Sequence, residues 1–151
     1  MKLAPGANRE HCSPVVIVWR KKDRRIRAEL VTVTDLTRRD LRRCRLVGMD
    51  LRGKNFADAN LDGADLTEAD LRGADLTRAN LHVAFLTGTR LDGANLRDAC
   101  LDGAYLIATE FRGARMDGVT TKGAVWDQAT VWPDDFRPPM SDVGLWHGRR
   151  N

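Results

Sequence analysis

The feature that most constrains the fold is a strict repeat of five residues. From residue 60 the chain reads NLDGADLTEADLRGADLTRANL, in which a leucine returns at every fifth position. The centres of the units run from Leu36 to Val131 without an insertion, and all are apolar except Thr121. From Ala59 to Ala129 a small residue, mostly alanine, stands two residues before each centre. Every glycine in the repeat follows a centre by two.

Neither regular secondary structure can bury all of these centres. On an α-helix a step of five residues advances about 140° beyond a full turn, so the leucines would spiral around the whole circumference. On a straight strand an odd step reverses the side-chain direction each time. The chain must therefore bend once per unit, at the position where glycine accepts a positive φ most easily. This pattern predicts a solenoid of very short strands around a leucine core.

The number of units in one coil follows from the residues that recur at a larger spacing. At a spacing of twenty, one column is uniformly glycine and another alternates in sign: Gly53, Gly73, Gly93, Gly113, and Arg38, Asp58, Arg78, Asp98. Grouping by fifteen mixes these residue types. We therefore expect four units per coil and about five coils, which gives a rod about 24 Å long at the usual inter-strand spacing.

The repeated motif A-[DN]-L-x-x, as in ADLTEADLRGADLTRANL, resembles the pentapeptide-repeat family. That resemblance implies an all-β fold, a right-handed quadrilateral β-helix with the Leu and Ala positions inward. The segment ATVWPDDF, residues 129 to 136, is similar to the ending of many such proteins. We expect a basic N-terminal arm and β-cap over residues 1–33, a solenoid over 34–131, and a C-terminal cap and tail over 132–151.

Positive charge is concentrated at the beginning of the chain. The first 33 residues carry eight basic and three acidic side chains, including a cluster on a predicted turn: Arg20, Lys21, Lys22, Arg24 and Arg25. This segment can cap the lower end of the solenoid, or serve as a basic arm for nucleic acid or another acidic partner, and the two roles are compatible. We expect DNA binding to be weak or absent, because only Trp19 is available there for base stacking. At the other end, Trp126, Trp132 and Phe136 are expected to fold over the last coil.

The repeat offers little catalytic chemistry. The only serines, Ser13 and Ser141, lie outside it, and the three histidines show no paired spacing for a metal. Asp50 and Asp70, one coil apart, would resemble a catalytic pair, but arginine stands two residues after each of them. We interpret them as solvated ion pairs, and the Asp or Asn before each centre as a partner for a turn amide. We therefore expect no enzyme activity, no metal, no cofactor and no small-molecule substrate.

A cytoplasmic location is expected from the apolar and cysteine content. The run PVVIVW is too short to span a membrane. The three cysteines are scattered, and Cys44 and Cys100 should lie too far apart along the rod to pair, which is typical of a reducing compartment.

One outer face has an unusual composition. Counting by twenty places five apolar residues together where the family normally has Asp, Asn, Ser or Thr: Val83, Phe85, Tyr105, Ile107 and Val125. Such a patch usually indicates contact, with the chain's own tail, a protein partner or a second copy; chance exposure is the remaining interpretation. The sequence thus predicts a non-catalytic binding or scaffold protein that acts through the outer faces of its solenoid.

The resemblance also implies an alternative, because well-understood members of the family mimic DNA and modulate or protect type II topoisomerases such as gyrase. A mimic needs a dense negative stripe, since duplex DNA carries one charge per about 1.7 Å. Here arginine interrupts the acidic columns, and Pro133, Pro138 and Pro139 argue against the C-terminal helix through which those mimics dimerise. DNA mimicry is therefore the second hypothesis.

Overall fold

The computed structural model describes residues 32–138, and their backbone is organised by single-residue bridges. Each bridge is parallel and joins a residue to the one twenty positions later, from Asp35↔Asn55 to Tyr105↔Val125. None of residues 33–138 is helical, and within that range no strand is longer than one bridged residue. The twenty-residue spacing is the one that the charge and glycine columns predict.

The bridges form four ladders, which define four faces of the solenoid. The bridged positions of face 1 are Asp35, Asn55, Asp75, Asn95 and Arg115, and those of face 2 are Asp40, Asn60, Asn80, Cys100 and Thr120. Those of face 3 are Arg45, Asp65, Phe85, Tyr105 and Val125, and those of face 4 are Asp50, Asp70, Arg90, Glu110 and Val131. The side chain of each bridged residue points outward, and the next residue is the inward centre.

Five backbone amides must find an acceptor in each unit. In the unit of Leu61, the amides of residues 60, 61 and 63 donate to neighbouring coils over 2.7–2.9 Å, and Ala64 closes the turn onto the Leu61 carbonyl at 2.9 Å. The fifth amide, of Asp62, donates to the Asn60 side chain at 3.2 Å. The predicted role of the Asp or Asn before a centre is thereby confirmed from Asp35 to Asn80, whereas the Oδ1 of Asn95 has no hydrogen-bond partner among the described residues.

The corner of each unit requires a positive φ. From residue 38 to residue 123, every position two after a centre has φ between 46° and 72°, and ten of these residues are glycine. This backbone is the one that a type II turn demands of its second central residue. Among the other eight, Val83 is the only β-branched residue.

The core is a column of leucine and alanine that is closed to solvent. All leucine centres from Leu61 to Leu106 are fully buried, as are the aromatic centres Phe56 and Phe111. Lys54 is an exception to the small-residue pattern, because it lies inward near the lower end with 4% of its surface exposed. Its Nζ donates to the Val33 carbonyl at 2.6 Å, so the long side chain fills the space of an alanine and brings its charge to an acceptor.

The last unit departs from the five-residue spacing that the sequence analysis extends without interruption to Val131. Glu110 bridges Val131, a spacing of 21, so one extra residue enters after Val125. Val131 is therefore an outward bridged residue rather than a centre, and Trp132 takes the centre position, stacked on Phe111 at 5.0 Å between ring centroids. Thr130 is buried in place of the exposed Ala129.

The extra residue is accommodated because its corner has its own hydrogen bonds. The Asp127 side chain accepts from the amides of Ala108 at 3.0 Å and Ala129 at 3.2 Å, while the Thr130 amide closes a turn onto the Asp127 carbonyl at 3.2 Å. Trp126, Trp132 and Phe136 pack against the core, as the sequence predicts for these three side chains.

The predicted N-terminal arm and cap, with Arg20, Lys21, Lys22, Arg24 and Arg25, lie outside the described residues, as does the tail beyond residue 138. Cys100 is a free thiol, so it is not paired with Cys44. Cys44 is buried, with 2% of its surface exposed. The cytoplasmic location stays a prediction.

Candidate protein-interaction face

The exposed apolar side chains of the solenoid are concentrated on face 3. Six large hydrophobic residues are exposed among the described residues, and all but Val33 lie on face 3 or its leading corner: Val47, Val83, Phe85, Tyr105 and Ile107. We call the last four of these the apolar patch. Contiguous apolar surface of this kind on a small protein marks a contact site.

Two aromatic rings form the centre of the patch. Phe85 and Tyr105 are bridged neighbours on successive coils, and their rings stack with centroids 5.0 Å apart and planes inclined by 4°. They nevertheless remain 45% and 40% exposed, so the stack presents its edges to solvent. Ile107 is 37% exposed two residues further along the same coil. Val125, which the sequence also assigns to this site, bridges Tyr105 from the next coil and is half-buried.

Phe85 and Tyr105 occupy positions where a polar residue would serve the fold better. One coil below, Asp65 Oδ1 accepts the Thr67 amide at 3.2 Å. Among residues 32–138 no side chain accepts the equivalent amides of Thr87 and Ile107. Each aromatic residue therefore forgoes a turn hydrogen bond while exposing apolar surface. A departure from the local rule at an exposed position is typical of a functional position.

Val83, at the corner that leads into face 3, carries backbone strain. Its φ is 46°, a conformation that a β-branched residue rarely adopts. Its Cγ1 fills the space beside Gly103 so closely that a Cβ added there would lie 2.9 Å away. Strain of this kind persists only where the surrounding structure imposes it, and it is commoner at binding sites.

The corner where the chain leaves face 3 is held by buried hydroxyl groups that the sequence analysis missed. The Oγ1 atoms of Thr89, Thr109 and Thr130 each donate at 2.7 Å to the carbonyl of a leucine centre on the coil below. Each of these carbonyls belongs to face 3, namely those of Leu66, Leu86 and Leu106. The sequence did contain a signal for these hydrogen bonds. At Thr89 and Thr109, on successive coils, threonine replaces the alanine that is usual two residues before a centre.

Face 4 has the opposite surface chemistry. Arg52 and Arg72 each make a bidentate ion pair with the aspartate two residues before, at 2.6 and 2.8 Å. The Arg52 guanidinium and its backbone amide lower the pKa of Asp50 to about 2, and Arg72 likewise lowers the pKa of Asp70. Both carboxylates are ionised at pH 7 and each is paired with an arginine, as the sequence predicts.

Two further pairs lie along the edge columns of the solenoid. Arg78 binds Asp58 of the coil below at 2.7 Å and lowers the pKa of that carboxyl, and His82 Nδ1 lies 2.8 Å from Asp62. Within residues 32–138 no three metal-binding side chains converge. In the same range no helix has the length and apolarity needed to cross a membrane.

A family model described as pentapeptide repeats, in eight copies, matches residues 40–78, 55–93 and 86–120, which together make up more than half of the chain. The chain belongs to the pentapeptide-repeat family. Among curated protein sequences, none matches it significantly.

Solved structures of other pentapeptide-repeat proteins are similar to the chain. HetL from Nostoc sp. strain PCC 7120, involved in heterocyst differentiation regulation, is 29% identical with a TM-score of 0.48, over 65% of this chain and 53% of HetL. Rfr23 from Cyanothece 51142 is 36% identical with a TM-score of 0.34, over 65% of this chain and 63% of Rfr23. The protein alr5209 from Nostoc PCC 7120 is 31% identical with a TM-score of 0.33, over 74% and 84%. The chain thus spans between about half and two-thirds of the length of HetL and Rfr23.

In this pentapeptide-repeat solenoid the faces differ in the side chains at their outward positions. Face 3 offers stacked aromatic rings and aliphatic side chains beside a hydrogen-bonded corner, whereas face 4 offers paired charges. Such a surface can bind a complementary apolar surface.

Proposed function

We propose that the chain is a non-catalytic pentapeptide-repeat binding or scaffold protein that contacts a protein partner through face 3. The observation that carries this proposal is the stacked pair Phe85 and Tyr105, exposed at positions where Asp or Asn would complete a turn. Aromatic side chains contribute strongly to protein interfaces because they bury large apolar areas at little conformational cost.

The rest of face 3 supports this proposal. The three threonine hydroxyls that bond to leucine carbonyls restrain the corner next to the patch, so the surface is preorganised. A preorganised surface loses little conformational entropy on binding. A rigid rod with one apolar binding face is suited to holding a partner in a defined orientation.

We further propose that the protein has no cofactor, no small-molecule substrate and a cytoplasmic location. For the fold we propose right-handed winding, about five coils, and caps at both ends, as the family resemblance implies. These proposals rest on the repeat pattern and on the surface chemistry of the described residues.

The alternative, a DNA-mimicking modulator of gyrase, has weaker support from the charges. The carboxylates of face 4 are paired with Arg52, Arg72 and Arg112 at 2.6–2.8 Å, so they do not form an unbroken negative stripe. We expect the purified protein to leave gyrase supercoiling unchanged at physiological salt. Potent inhibition that weakens with added salt would favour the alternative instead.

The test of the proposed function is capture by photo-crosslinking with the probe placed at Thr87, at the rim of the patch. Wild type is compared with a Phe85→Asn/Tyr105→Asn variant, in which each amide supplies the missing turn acceptor. The matched control is Cys100→Asn, the same change on face 2. We expect crosslinks to protein, whether another protein or a second copy, to be lost only in the face 3 variant. Crosslinks that persist in that variant, or that fall equally in the control, would refute the proposal.

A further inference from the structure

We propose that the partner of face 3 is face 3 of a second copy of this chain, with the two rods antiparallel. This inference rests on the proposed function and gives its interaction face one occupant. Pairing of identical surfaces about a two-fold axis is the commonest way in which soluble proteins associate, and it requires a surface that is complementary to itself.

The order of residues along face 3 satisfies that requirement. Phe85 is the middle of its five bridged positions, so a two-fold axis through that level and perpendicular to the rod superimposes the whole face on its copy. Phe85 then opposes Phe85 of the second copy. Tyr105 opposes the position of Asp65, where its hydroxyl has a carboxylate acceptor, and Ile107 opposes Thr67.

The charges at the two ends of the face favour this orientation. Arg45 stands at the lowest level of face 3, whereas Asp127, whose pKa is lowered, stands at the highest. Burial raises the pKa of Asp127, but hydrogen bonds from Ala108, Thr130 and Ala129 outweigh it, so the carboxylate is ionised. Antiparallel rods bring Arg45 of each copy to the Asp127 end of the other.

Parallel rods would instead place like charges together. Arg43 and Arg45 of both copies would lie at the same height, and among residues 32–138 neither arginine has an ion-pair partner that would reduce the repulsion. Like charges that face one another across an interface are strongly unfavourable. The antiparallel arrangement removes that repulsion and leaves Phe85 in the middle of the contact.

The size of the face sets the strength of the association. Five levels at the inter-strand spacing make a surface about 24 Å tall. A flat face of this height buries on the order of 1,000 Å² in total, at the low end for specific interfaces. We therefore expect a reversible dimer that dissociates on dilution rather than a permanent one.

The test is sedimentation equilibrium of the full chain over a range of concentrations up to about 500 μM, where a specific micromolar dimer is fully formed. Wild type should show a monomer–dimer equilibrium, and Phe85→Asn/Tyr105→Asn should weaken it at least tenfold, as expected for central aromatic anchors. The control Cys100→Asn should dimerise like wild type, which also excludes a disulfide through that thiol. A monomeric wild type, or dimerisation unchanged in the face 3 variant, would overturn the proposal.

Arg45→Asp tests the orientation by the sign of its effect. In antiparallel rods the new carboxylate meets the Asp127 end, so dimerisation should weaken at least several-fold. In parallel rods the same change replaces a cluster of four arginines by two arginines and two aspartates, so dimerisation should tighten. Tighter or unchanged association would overturn the antiparallel arrangement.

The two proposals fail in different ways. If wild type stays monomeric while the photo-crosslinking probe on face 3 captures a different protein, the second copy is wrong as the occupant and the binding function stands. If the patch variant changes neither crosslinking nor sedimentation, both proposals are wrong.

Discussion

Faces 3 and 4 have the same kind of backbone and mainly leucine centres, yet their outer surfaces differ in the middle coils. On face 4, Asp50 and Asp70 each accept an amide and bind the arginine two residues later. On face 3, Phe85 and Tyr105 stand at the equivalent positions and stack on one another. The inward side chains therefore determine the fold, and the outward positions vary with little constraint from it. Function in this chain has to be sought where an outward residue departs from what the turn requires.

The largest effect should come from a change common to both faces. Leu71 and Leu86, the centres of face 4 and face 3, are fully buried, so Leu71→Asp or Leu86→Asp places an unpaired charge on the closed axis. The cost should be several kcal/mol, comparable with the whole stability of a domain. Circular dichroism and thermal melting should show loss of the fold in both. A variant that melted like wild type would show that its leucine is not in the core.

The second-largest effect should be a loss of stability in acid, caused by the ion pairs of the charged faces. The pKa of Asp50 is lowered to about 2 by the Arg52 hydrogen bonds, and the pKa values of Asp70 and Asp58 are lowered by Arg72 and Arg78. A carboxyl with a lower pKa in the folded state stabilises the fold fully above its unfolded pKa of about 3.9, and loses this contribution as the pH falls through the folded pKa. The melting temperature should hold from pH 7 to about 5 and decrease between about pH 4 and 2.

Asp50→Asn is the matched variant for this pH dependence, because an amide still accepts the turn hydrogen bond, as Asn60 does. Its melting temperature should depend less steeply on acid than that of wild type. Equal stability of wild type at pH 5 and pH 2.5 would contradict the assignment of these ion pairs.

A pair of glycine substitutions compares the corners of the two faces. Gly103 and Gly93 have nearly the same φ, 65° and 67°, but a Cβ at Gly103 would meet Val83 at 2.9 Å, whereas a Cβ at Gly93 has nothing within 4 Å. Gly93→Ala should cost about 1–2 kcal/mol of left-handed strain, and Gly103→Ala should cost more. Urea denaturation of both variants, and of Gly103→Ala with Val83→Gly, measures the difference. Equal costs would mean that Val83 does not occupy the corner.

The hydroxyl bond beside face 3 should have a smaller effect. Thr109→Val keeps the buried shape and removes the donor to the Leu86 carbonyl. The Thr89 amide still bonds to that carbonyl at 3.0 Å, so the loss should be about 1 kcal/mol. Urea denaturation can compare it with Thr87→Val, an outward change on the same face, which should be nearly neutral. A neutral Thr109→Val would show that the hydroxyl does not restrain the corner.

The smallest effect should come from the exposed ion pair between faces 1 and 2. Arg78 and Asp58 lie 2.7 Å apart, with 57% and 27% of their side-chain surfaces exposed. Solvent screens such pairs strongly, so Arg78→Ala should change the melting temperature by little more than experimental error. A large decrease would mean that the charged edges contribute to the fold as the leucines do.

The candidate site was predictable from the sequence to the extent that it follows the repeat. Counting by twenty placed Phe85, Tyr105 and Ile107 on one face, because each unit repeats the same backbone and the residue number alone gives the direction of the side chain. The strain at Val83 and its contact with Gly103 were not predictable, since they depend on how closely two coils approach. Val125 is less exposed than its position suggested, because the chain departs from the repeat just after it.

By itself, the sequence determined the inward leucines, the glycine corners, the turn acceptors and the twenty-residue coil, because all of these depend on contacts that recur identically in every unit. Only the tertiary structure determined the features at the ends of the solenoid, where the contacts do not recur from coil to coil. At the upper end, the extra residue shifts the frame so that Trp132 rather than Val131 covers Phe111. At the lower end, Lys54 fills an alanine position and reaches the Val33 carbonyl. The repeat in the sequence predicts the interior coils. The ends of the solenoid instead depend on side chains that pack where there is no neighbouring coil.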